Sequence, residues 1–317
     1  MPKRKILGLS FPVLITFAVI ILVLFIIGFL AGPIGQKLFP GIALPDWITV
    51  PRPDPRLPAE EVFSLFGWPI TNSVIGGWLT VVVVTLFCFM VTRRMKIVPG
   101  KVQAAFEFLL GWIYDLCKSI AGEKNGRLFF PMICTIFLFV AFNAWLSLIP
   151  GFGSIEITGA GGHEVELLRG ANTDVNTPLA IALASFVFVI FYGLKSLGIG
   201  WLRQYFNFGP FFRSLGRIFK GKVNPMDIFS GAINIFVGFL ELLSLFIRNI
   251  SFTFRLFGNM TAGEILLLIA AYLVPWVLAL PFYGLELLVG FVQALIFSGL
   301  TLVFVTMAVT SHEAESH

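Results

Sequence analysis

Six apolar stretches, each long enough to cross a bilayer, constrain this chain more than any other feature of its sequence. About 20 apolar residues span the hydrocarbon core as a helix. Charged residues make up only 12% of the 317 positions, whereas soluble domains carry about 25%. The predicted spans are residues 9–30, 71–91, 129–148, 178–197, 226–274 and 282–310. The fold class is therefore predicted to be an all-α polytopic membrane protein with about six crossings.

The charges between the spans alternate in sign from loop to loop. Residues 93–127 hold seven positive and three negative side chains, and residues 195–227 hold six and one. Residues 151–177 instead hold one positive and four negative side chains. Because Lys and Arg favour the cytoplasmic side, the N-terminus and both basic loops are predicted to be cytoplasmic. Six crossings then return the C-terminus to the same side.

The first apolar stretch has two interpretations. It follows three basic residues, as a secretory signal does, but it is longer than the usual apolar core of a signal and no clear cleavage site follows. We therefore favour an uncleaved membrane helix within residues 1–31. The proline-rich connector 32–62 is then predicted to lie on the extracytoplasmic side.

Residues 101–120 show a different pattern from the spans. A polar residue or a glycine recurs at every fourth position of an otherwise apolar helix, at Gln103, Glu107, Gly111 and Asp115. A narrow polar stripe of this kind is typical of a helix lying in the membrane interface. We predict an interfacial amphipathic helix here, and a soluble amphipathic helix is the alternative.

A segment of 49 residues without proline lies between Pro225 and Pro275. A continuous helix of that length would measure about 73 Å, whereas the hydrocarbon core is about 30 Å thick. The helix is therefore predicted to be either broken or strongly tilted. With the last span it forms a long C-terminal hairpin over residues 226–311.

Five arginine and glutamate side chains lie inside the two apolar segments of this hairpin. They are Glu241, Arg248, Arg255, Glu264 and Glu286. A charge at bilayer depth costs from about 3 to more than 10 kcal/mol, depending on how it is measured. Such residues are expected to line a polar path, and the function that they indicate is ion movement.

The order of residues predicts which side chains face each other across the hairpin. If the chain reverses at 274–275, Arg255 lies opposite the neighbourhood of Gln293. Glu264 then lies opposite the neighbourhood of Glu286, and two adjacent carboxylates are expected to hold one proton between them. Nine residues, about 900° of helical rotation, separate Arg255 from Glu264. The cation and this carboxylate are therefore predicted to serve opposite faces of one helix.

Several of these polar residues also have simpler interpretations. Arg248 could extend to the lipid headgroups, and Glu241 could be its ion-pair partner. Ser251 and Asn259, which share a face with Arg255 at a spacing of four, could be ordinary hydrogen-bonding residues between helices. Arg255 itself could be structural if it formed a salt bridge with one of the two glutamates near the hairpin end.

Three other functional classes are alternatives to an ion channel. An ion-coupled secondary transporter, the main alternative, usually has two similar halves, and no internal repeat is found. An intramembrane enzyme needs a nucleophile or metal motif, and neither HExxH nor GxSxG occurs. A structural assembly subunit needs no cation at mid-membrane. The P-loop-like stretch 216–222 is followed by valine where Ser or Thr is required, so it is discarded.

The stretch 251–264, SFTFRLFGNMTAGE, closely resembles the signature of subunit a of F-type ATP synthases. Further similar stretches follow the order found in that family, from about residue 60 to 310. They are 63–72, Pro99–Gly100 with Gln103 and Glu107, 143–151, 174–176 and 288–297. The additional span at 9–30 exceeds the five crossings common in bacterial members.

The resemblance implies a role for each matching residue. Arg255 matches the arginine that faces the rotating c-ring and is implied to act in proton translocation. Glu264 and Glu286 match the outer half-channel pair, for which the family often has one glutamate and one histidine. Asn259 and Gln293 are placed in the outer half-channel beside Arg255. The residues expected in the inner half-channel or its support are Ser251, Arg248, Glu241 and Asn143. Glu241 is included because it lies with Arg248 on the inner side of Arg255 in the predicted hairpin.

The resemblance also implies partners and location. The expected partners are the c-subunit ring, the peripheral-stalk b subunits and membrane lipid, with no nucleic acid and no direct nucleotide binding. No cofactor and no metal are expected, and the subunit is expected to be non-catalytic by itself. The location is the bacterial inner membrane. The expected division is an N-terminal helix (1–31), a connector (32–62), the subunit a membrane domain (63–311) and a cytoplasmic tail (312–317).

Overall fold

The computed structural model of this chain is built almost entirely of helices. It describes residues 5–6, 9–41, 45, 52–53, 58–159, 162–198, 200–203 and 225–310. The tail 312–317, most of the basic loop 195–227 and much of the connector 32–62 lie outside the described residues, so what the sequence indicates for them stays a prediction.

Six helices in the described part of the chain are long and apolar enough to cross a membrane, as predicted. They are Phe11–Ala31 (α1), Asn72–Thr92 (α3), Lys101–Ser147 (α4), Asn176–Leu197 (α5), Pro225–Leu273 (α7) and Ala279–Thr310 (α8). Two short helices are Pro33–Leu38 (α2) and Gly200–Arg203 (α6). The prediction of a helical polytopic membrane protein is confirmed.

Three small antiparallel strand pairs were not predicted. They are Lys5–Ile6 (β1) with Leu9–Ser10 (β2), Glu61–Leu65 (β3) with Trp68–Thr71 (β4), and Glu156–Thr158 (β5) with Glu164–Glu166 (β6). Between β3 and β4, Phe66 and Gly67 have positive φ values of 51° and 82°, as in the type I′ turns of two-residue hairpins. This tight turn joins β3 to β4. All three pairs are short, and the helical fold class is unchanged.

Helix α4 contains a break that divides it into two parts. Gly122 has φ 77° and ψ 170°, a backbone conformation that residues other than glycine rarely adopt. After this break the two parts approach closely, because a Cβ added at Gly126 would lie 2.7 Å from the carbonyl oxygen of Cys117. The first part coincides with the predicted amphipathic helix 101–120. Its position in the membrane interface stays a prediction.

Helix α7 is continuous over all 49 of its residues, so the broken helix, one of the two predicted alternatives, is wrong. Its tilt in the membrane stays a prediction from its length of about 73 Å. Residues 274–278 then reverse the chain, with Trp276 at a positive φ of 69°. Helix α8 follows and returns along α7, which forms the predicted long hairpin.

The buried core lies where the second part of α4 packs against α5 and α8. Phe129 and Phe137 are its largest fully buried side chains from α4. The ring of Phe129 meets Tyr192 of α5 at 5.0 Å, and the ring of Phe137 meets Phe291 of α8 at 5.7 Å. Both contacts have the edge-on geometry that aromatic pairs prefer. Helix α7 adds Phe252, Leu256 and Met260 to this core. It packs against α5 and α8 and leaves its opposite face exposed.

The N-terminal helix α1 docks on the end of the hairpin. Most of its side chains are exposed and apolar, as expected for contact with lipid. A Cβ added at Gly28 would overlap the carbonyl oxygen of Pro275, and one added at Gly32 would overlap that of Leu273. Small residues four apart let membrane helices approach closely. The two glycines therefore place α1 beside the turn between α7 and α8.

Candidate functional site

The guanidinium of Arg255 lies on the exposed face of α7, about midway along its apolar length. Its neighbours on this face include Ile250 and Phe254, with exposed fractions of 53% and 60%. Within the described part of the chain Arg255 takes part in no ion pair. The alternative that it is salt-bridged to one of the glutamates is therefore wrong. The structure presents this cation outward from the bundle, on a largely apolar surface.

Ser251, Gly258 and Asn259 surround Arg255 on the same exposed face. The side-chain nitrogen of Asn259 donates a 2.9 Å hydrogen bond to the side-chain oxygen of Gln293 on α8. Gln293 itself is buried, and its own amide nitrogen has no partner among the described residues. Through Asn259, the buried amide of Gln293 is therefore linked to the exposed face of α7 that carries Arg255.

The predicted register of the hairpin is correct to within about one helical turn. Gln293 bonds to Asn259, one turn beyond the predicted Arg255, because the five-residue reversal 274–278 moves the centre of the hairpin towards residue 276. Nearer the turn, the carboxylate of Glu286 lies directly against Gly263, where any Cβ would overlap it. Glycine at this position therefore gives the Glu286 carboxylate its space.

Glu286 is a buried carboxylate on α8, with 8% of its surface exposed. No hydrogen bond or ion pair to its side chain is found among the residues that the structure describes. Burying an ionised carboxylate without a partner costs free energy, so packing alone does not explain a glutamate at this position. Glu286 is therefore a candidate proton carrier inside the hairpin.

Unlike Glu286, Glu264 has a charged partner in the structure. One of its oxygens lies 3.3 Å from the guanidinium of Arg169, in the loop between β6 and α5. The side chain of Arg169 is 6% exposed and that of Glu264 is 35% exposed. The prediction that the two glutamates share one proton did not include Arg169. The structure pairs this cation with Glu264.

Arg169 was missed in the sequence analysis. Its guanidinium also donates to the backbone oxygen of Pro58 at 3.1 Å and to the hydroxyl of Thr173 at 3.1 Å. It therefore links the connector, the loop before α5 and α7 through one side chain. The available signal was that Arg169 is the one basic residue in the acidic segment 151–177.

A cavity of about 350 Å³ brings these charged groups together near the turn of the hairpin. Its walls come from the end of α4, the loop that follows, α7 and α8. The polar side chains in its lining are Ser147, Ser154, Glu166, Arg169, Thr173, Glu264, Tyr283 and Glu286. The opening is thus lined by three carboxylates and one cation, and it reaches down to Met260, slightly more than one turn from Arg255.

Asn143 is buried next to the cavity residue Ala144 and does not itself line the cavity. It is 2% exposed, and its amide nitrogen donates to the hydroxyl of Thr80 at 2.9 Å. Its side-chain oxygen accepts a 3.1 Å hydrogen bond from the backbone N–H of Asn172. Asn143 therefore joins α4 to α3 and to the loop before α5. Its expected role, in the inner half-channel or in support of it, stays a prediction.

A second polar cluster lies at the other end of the hairpin. The guanidinium of Arg248 sits over the ring of Phe304 at 3.7 Å, a cation–π contact between α7 and α8. The hydroxyls of Ser185 and Thr301 share a 2.8 Å hydrogen bond nearby. Glu241, two turns before Arg248, is exposed on α7. The contact with Phe304 was not among the interpretations given for Arg248 from sequence.

Replacing Arg169 by glutamine should lower the free energy of unfolding of the protein. Breaking a fully buried ion pair costs about 3–5 kcal/mol, and the partial exposure of Glu264 lowers the expected loss to about 1–3 kcal/mol. Thermal unfolding of the purified protein in detergent measures it. Arg127→Gln, a change at an exposed arginine outside the cavity, is the matched control. Equal stability of the two variants would contradict a structural role for the pair.

The family model described as ATP synthase A chain matches residues 74–306. The chain belongs to the ATP synthase subunit a family. A subunit a from Gloeobacter violaceus is 32% identical over 82% of this chain and 94% of that protein. A subunit a from a Sulfurihydrogenibium species is 31% identical over 74% of this chain and 96% of that protein. One from Pelobacter propionicus, ATP synthase subunit a 3, is 30% identical over 74% and 86%.

Membership of the subunit a family makes this chain a multi-pass membrane subunit of the F-type ATP synthase, with a part in proton transport and ATP synthesis. The family match extends through α3, α4, α5, α7 and nearly all of α8, which together carry every predicted site residue. Helix α1 precedes the matched residues. It is therefore an addition to the part of the chain that the family model describes.

Proposed function

We propose that this chain is the stator subunit that loads and unloads protons on a rotating ring of c subunits through two offset half-channels. One observation carries the proposal: Arg255 is exposed at the middle of a membrane helix and forms no ion pair within the described residues. A guanidinium on an apolar surface needs an anion supplied from outside the bundle. Carboxylates of a neighbouring ring are such anions.

The chemistry of the ring follows from the charge of Arg255. A protonated carboxyl is neutral and can face lipid, whereas beside a guanidinium the ionised carboxylate is favoured. Each ring site therefore gives up its proton as it reaches Arg255. The same cation opposes direct passage of a proton between the two half-channels. A proton then enters on one side, travels with the ring and leaves on the other, driven by about 2.3 kcal/mol per charge per 100 mV.

The cavity near the hairpin turn is the proposed outer half-channel. Glu286 is its proton-carrying group, and Gln293 and Asn259 continue the polar path from Glu286 towards the ring surface. Glu264 takes part as the partner of Arg169. The inner half-channel is proposed at the opposite polar cluster, with Ser251, Arg248 and Glu241. The hydrogen-bonded pair Ser185 and Thr301 lies beside this second path.

The proposed location follows from the loop charges and the family. The subunit lies in the bacterial inner membrane with both termini in the cytoplasm, beside the c-ring and the peripheral-stalk b subunits. It binds no nucleotide, and ATP is made by other subunits. The first part of α4 lies in the cytoplasmic interface, and α7 is tilted along the ring. The domain division 1–31, 32–62, 63–311 and 312–317 belongs to the same proposal.

Cysteine cross-linking in the assembled complex tests which face of α7 meets the ring. Ser251→Cys carries its thiol on the exposed face of Arg255, whereas Thr253→Cys, two residues away, carries it on a side that is 3% exposed. With a second cysteine on the lipid-facing helix of the ring, oxidation should link Ser251→Cys and leave Thr253→Cys free. Equal yields at the two positions, or a link from Thr253→Cys alone, would refute this orientation.

A further inference from the structure

A second cavity lies away from the proposed proton path, where α3 ends and α4 begins. It has a volume of about 480 Å³, within the range of about 300–1,000 Å³ of ligand pockets. Its lining divides into an apolar part and a basic part. The apolar residues are Phe87, Met90, Val91 and Val102, the basic ones are Arg94, Lys96 and Lys101, and the rest are Gly100 and Gln103.

The loop that carries the basic residues is held in shape by Gln103. Its side-chain oxygen accepts from the backbone N–H of Lys96 at 3.2 Å, and its side-chain nitrogen donates to the backbone oxygen of Lys96 at 3.0 Å. The same nitrogen donates to the carboxylate of Glu107 at 2.7 Å. The amide thus closes the loop on both sides of Lys96 and orders the basic wall before any ligand binds.

The charge of the lining is one-sided. Three cations line the cavity, and the residues in contact with it include no carboxylate. The N-terminus of α4 at Gly100 and Lys101 adds unpaired backbone N–H groups at the same place, which also favour an anion. Such a site selects a group with at least one negative charge and several acceptor oxygens, such as a phosphate.

The apolar wall decides which phosphate fits. Met90 of α3 and Val102 of α4 are 66% and 63% exposed, so the cavity has an open apolar wall. A free phosphate ion gains nothing from these side chains, whereas a lipid places its headgroup on the cations and its acyl chains on the apolar wall. Basic pockets beside the ends of membrane helices commonly hold anionic headgroups.

We propose that this cavity is a binding site for an anionic phospholipid. The headgroup phosphate contacts Arg94, Lys96 and Lys101, and the first acyl segments lie along Met90 and Val102. The bound lipid fixes the loop between α3 and α4, and with it the start of the amphipathic part of α4. This site is independent of the proton path, because none of its residues lies in α7 or α8.

Lipid retention by the intact ATP synthase tests the proposal. The complex is purified from membranes, placed in nanodiscs of phosphatidylglycerol and phosphatidylethanolamine, and released for native mass spectrometry. In the triple variant Arg94→Gln, Lys96→Gln, Lys101→Gln, binding of phosphatidylglycerol to this subunit should weaken roughly ten- to a hundredfold. A control variant removes three exposed cations outside the cavity by the changes Lys124→Gln, Arg127→Gln and Lys195→Gln, and it should retain the lipid.

Two further variants distinguish a bound lipid from a bound phosphate ion and from a misfolded loop. Met90→Gln with Val102→Gln should weaken phosphatidylglycerol binding while leaving all three cations in place. The charge-preserving variant Arg94→Lys, Lys96→Arg, Lys101→Arg should retain the lipid, which excludes simple misfolding of the loop. Equal loss in the cavity variant and the control, or displacement of the lipid by millimolar inorganic phosphate, would overturn the proposal.

Discussion

Replacing Arg255 by alanine should abolish proton-driven ATP synthesis in vesicles that contain the assembled enzyme. A cation and a carboxylate about 4 Å apart attract by roughly 4 kcal/mol at an effective dielectric constant of 20. Without that attraction, the equilibrium constant for losing the proton from the ring carboxyl at this point falls roughly a thousandfold. Lysine should fail as well, because its ammonium can lose its charge and lacks the planar fork of the guanidinium.

The measurement for Arg255 is ATP synthesis driven by an imposed potential, together with passive proton flux through the membrane sector alone. Arg127→Ala removes an exposed arginine from the start of the second part of α4 and serves as the matched control. Assembly is checked by the amount of c subunit that copurifies. Normal synthesis by a fully assembled Arg255→Ala enzyme would exclude the ring mechanism.

Replacing Glu286 by glutamine should lower proton flux about a hundredfold or more, the usual contribution of a positioned acid–base group. The amide is close in size to the carboxyl, so the contact with Gly263 is preserved. The amide cannot carry the proton. Flux that remains should lose its dependence on pH at the cavity side, because the titrating group on that path is gone. Proton uptake into vesicles, measured over a range of external pH, tests both effects.

Two comparisons make the Glu286 experiment specific. Glu156→Gln removes a carboxylate from β5 outside the cavity lining and should leave flux unchanged. Glu264→Gln should have a different signature from Glu286→Gln. It leaves the buried guanidinium of Arg169 without its anion, so thermal stability should fall, while the pH dependence of flux persists. If Glu264→Gln and Glu286→Gln had identical pH profiles, the two carboxylates would share one proton after all.

Much of the fold was predictable because it depends on patterns along one helix. The six apolar runs predicted six crossings, since a bilayer leaves a helix as the only open-chain way to satisfy the backbone. Helical spacing also placed Arg255 and Glu264 on opposite faces of α7, and the structure confirms this with one exposed and the other turned towards Arg169. The antiparallel register of the hairpin came within about one turn for the same reason.

The candidate site was less predictable where it depends on residues distant in sequence. Arg169 lies 95 residues from its partner Glu264, and nothing in the local pattern of either residue points to the other. Asn143 bonds to Thr80 and to Asn172, from elements 63 and 29 residues away. Such contacts depend on how loops and helices pack, which periodicity does not describe. Sequence alone therefore found the charged residues but not how they pair.

The sequence by itself determined the membrane class of this protein, its six spans, the long hairpin and the faces on which its charges lie. These follow from the length and period of the apolar runs, because each helix crosses the bilayer according to its own sequence. Only the tertiary structure decided that Arg255 is presented outward, that Glu264 is paired and that Glu286 is buried without a partner among the described residues. The reason is that burial and ion pairing are properties of the space between elements, and that space exists only after the helices have packed.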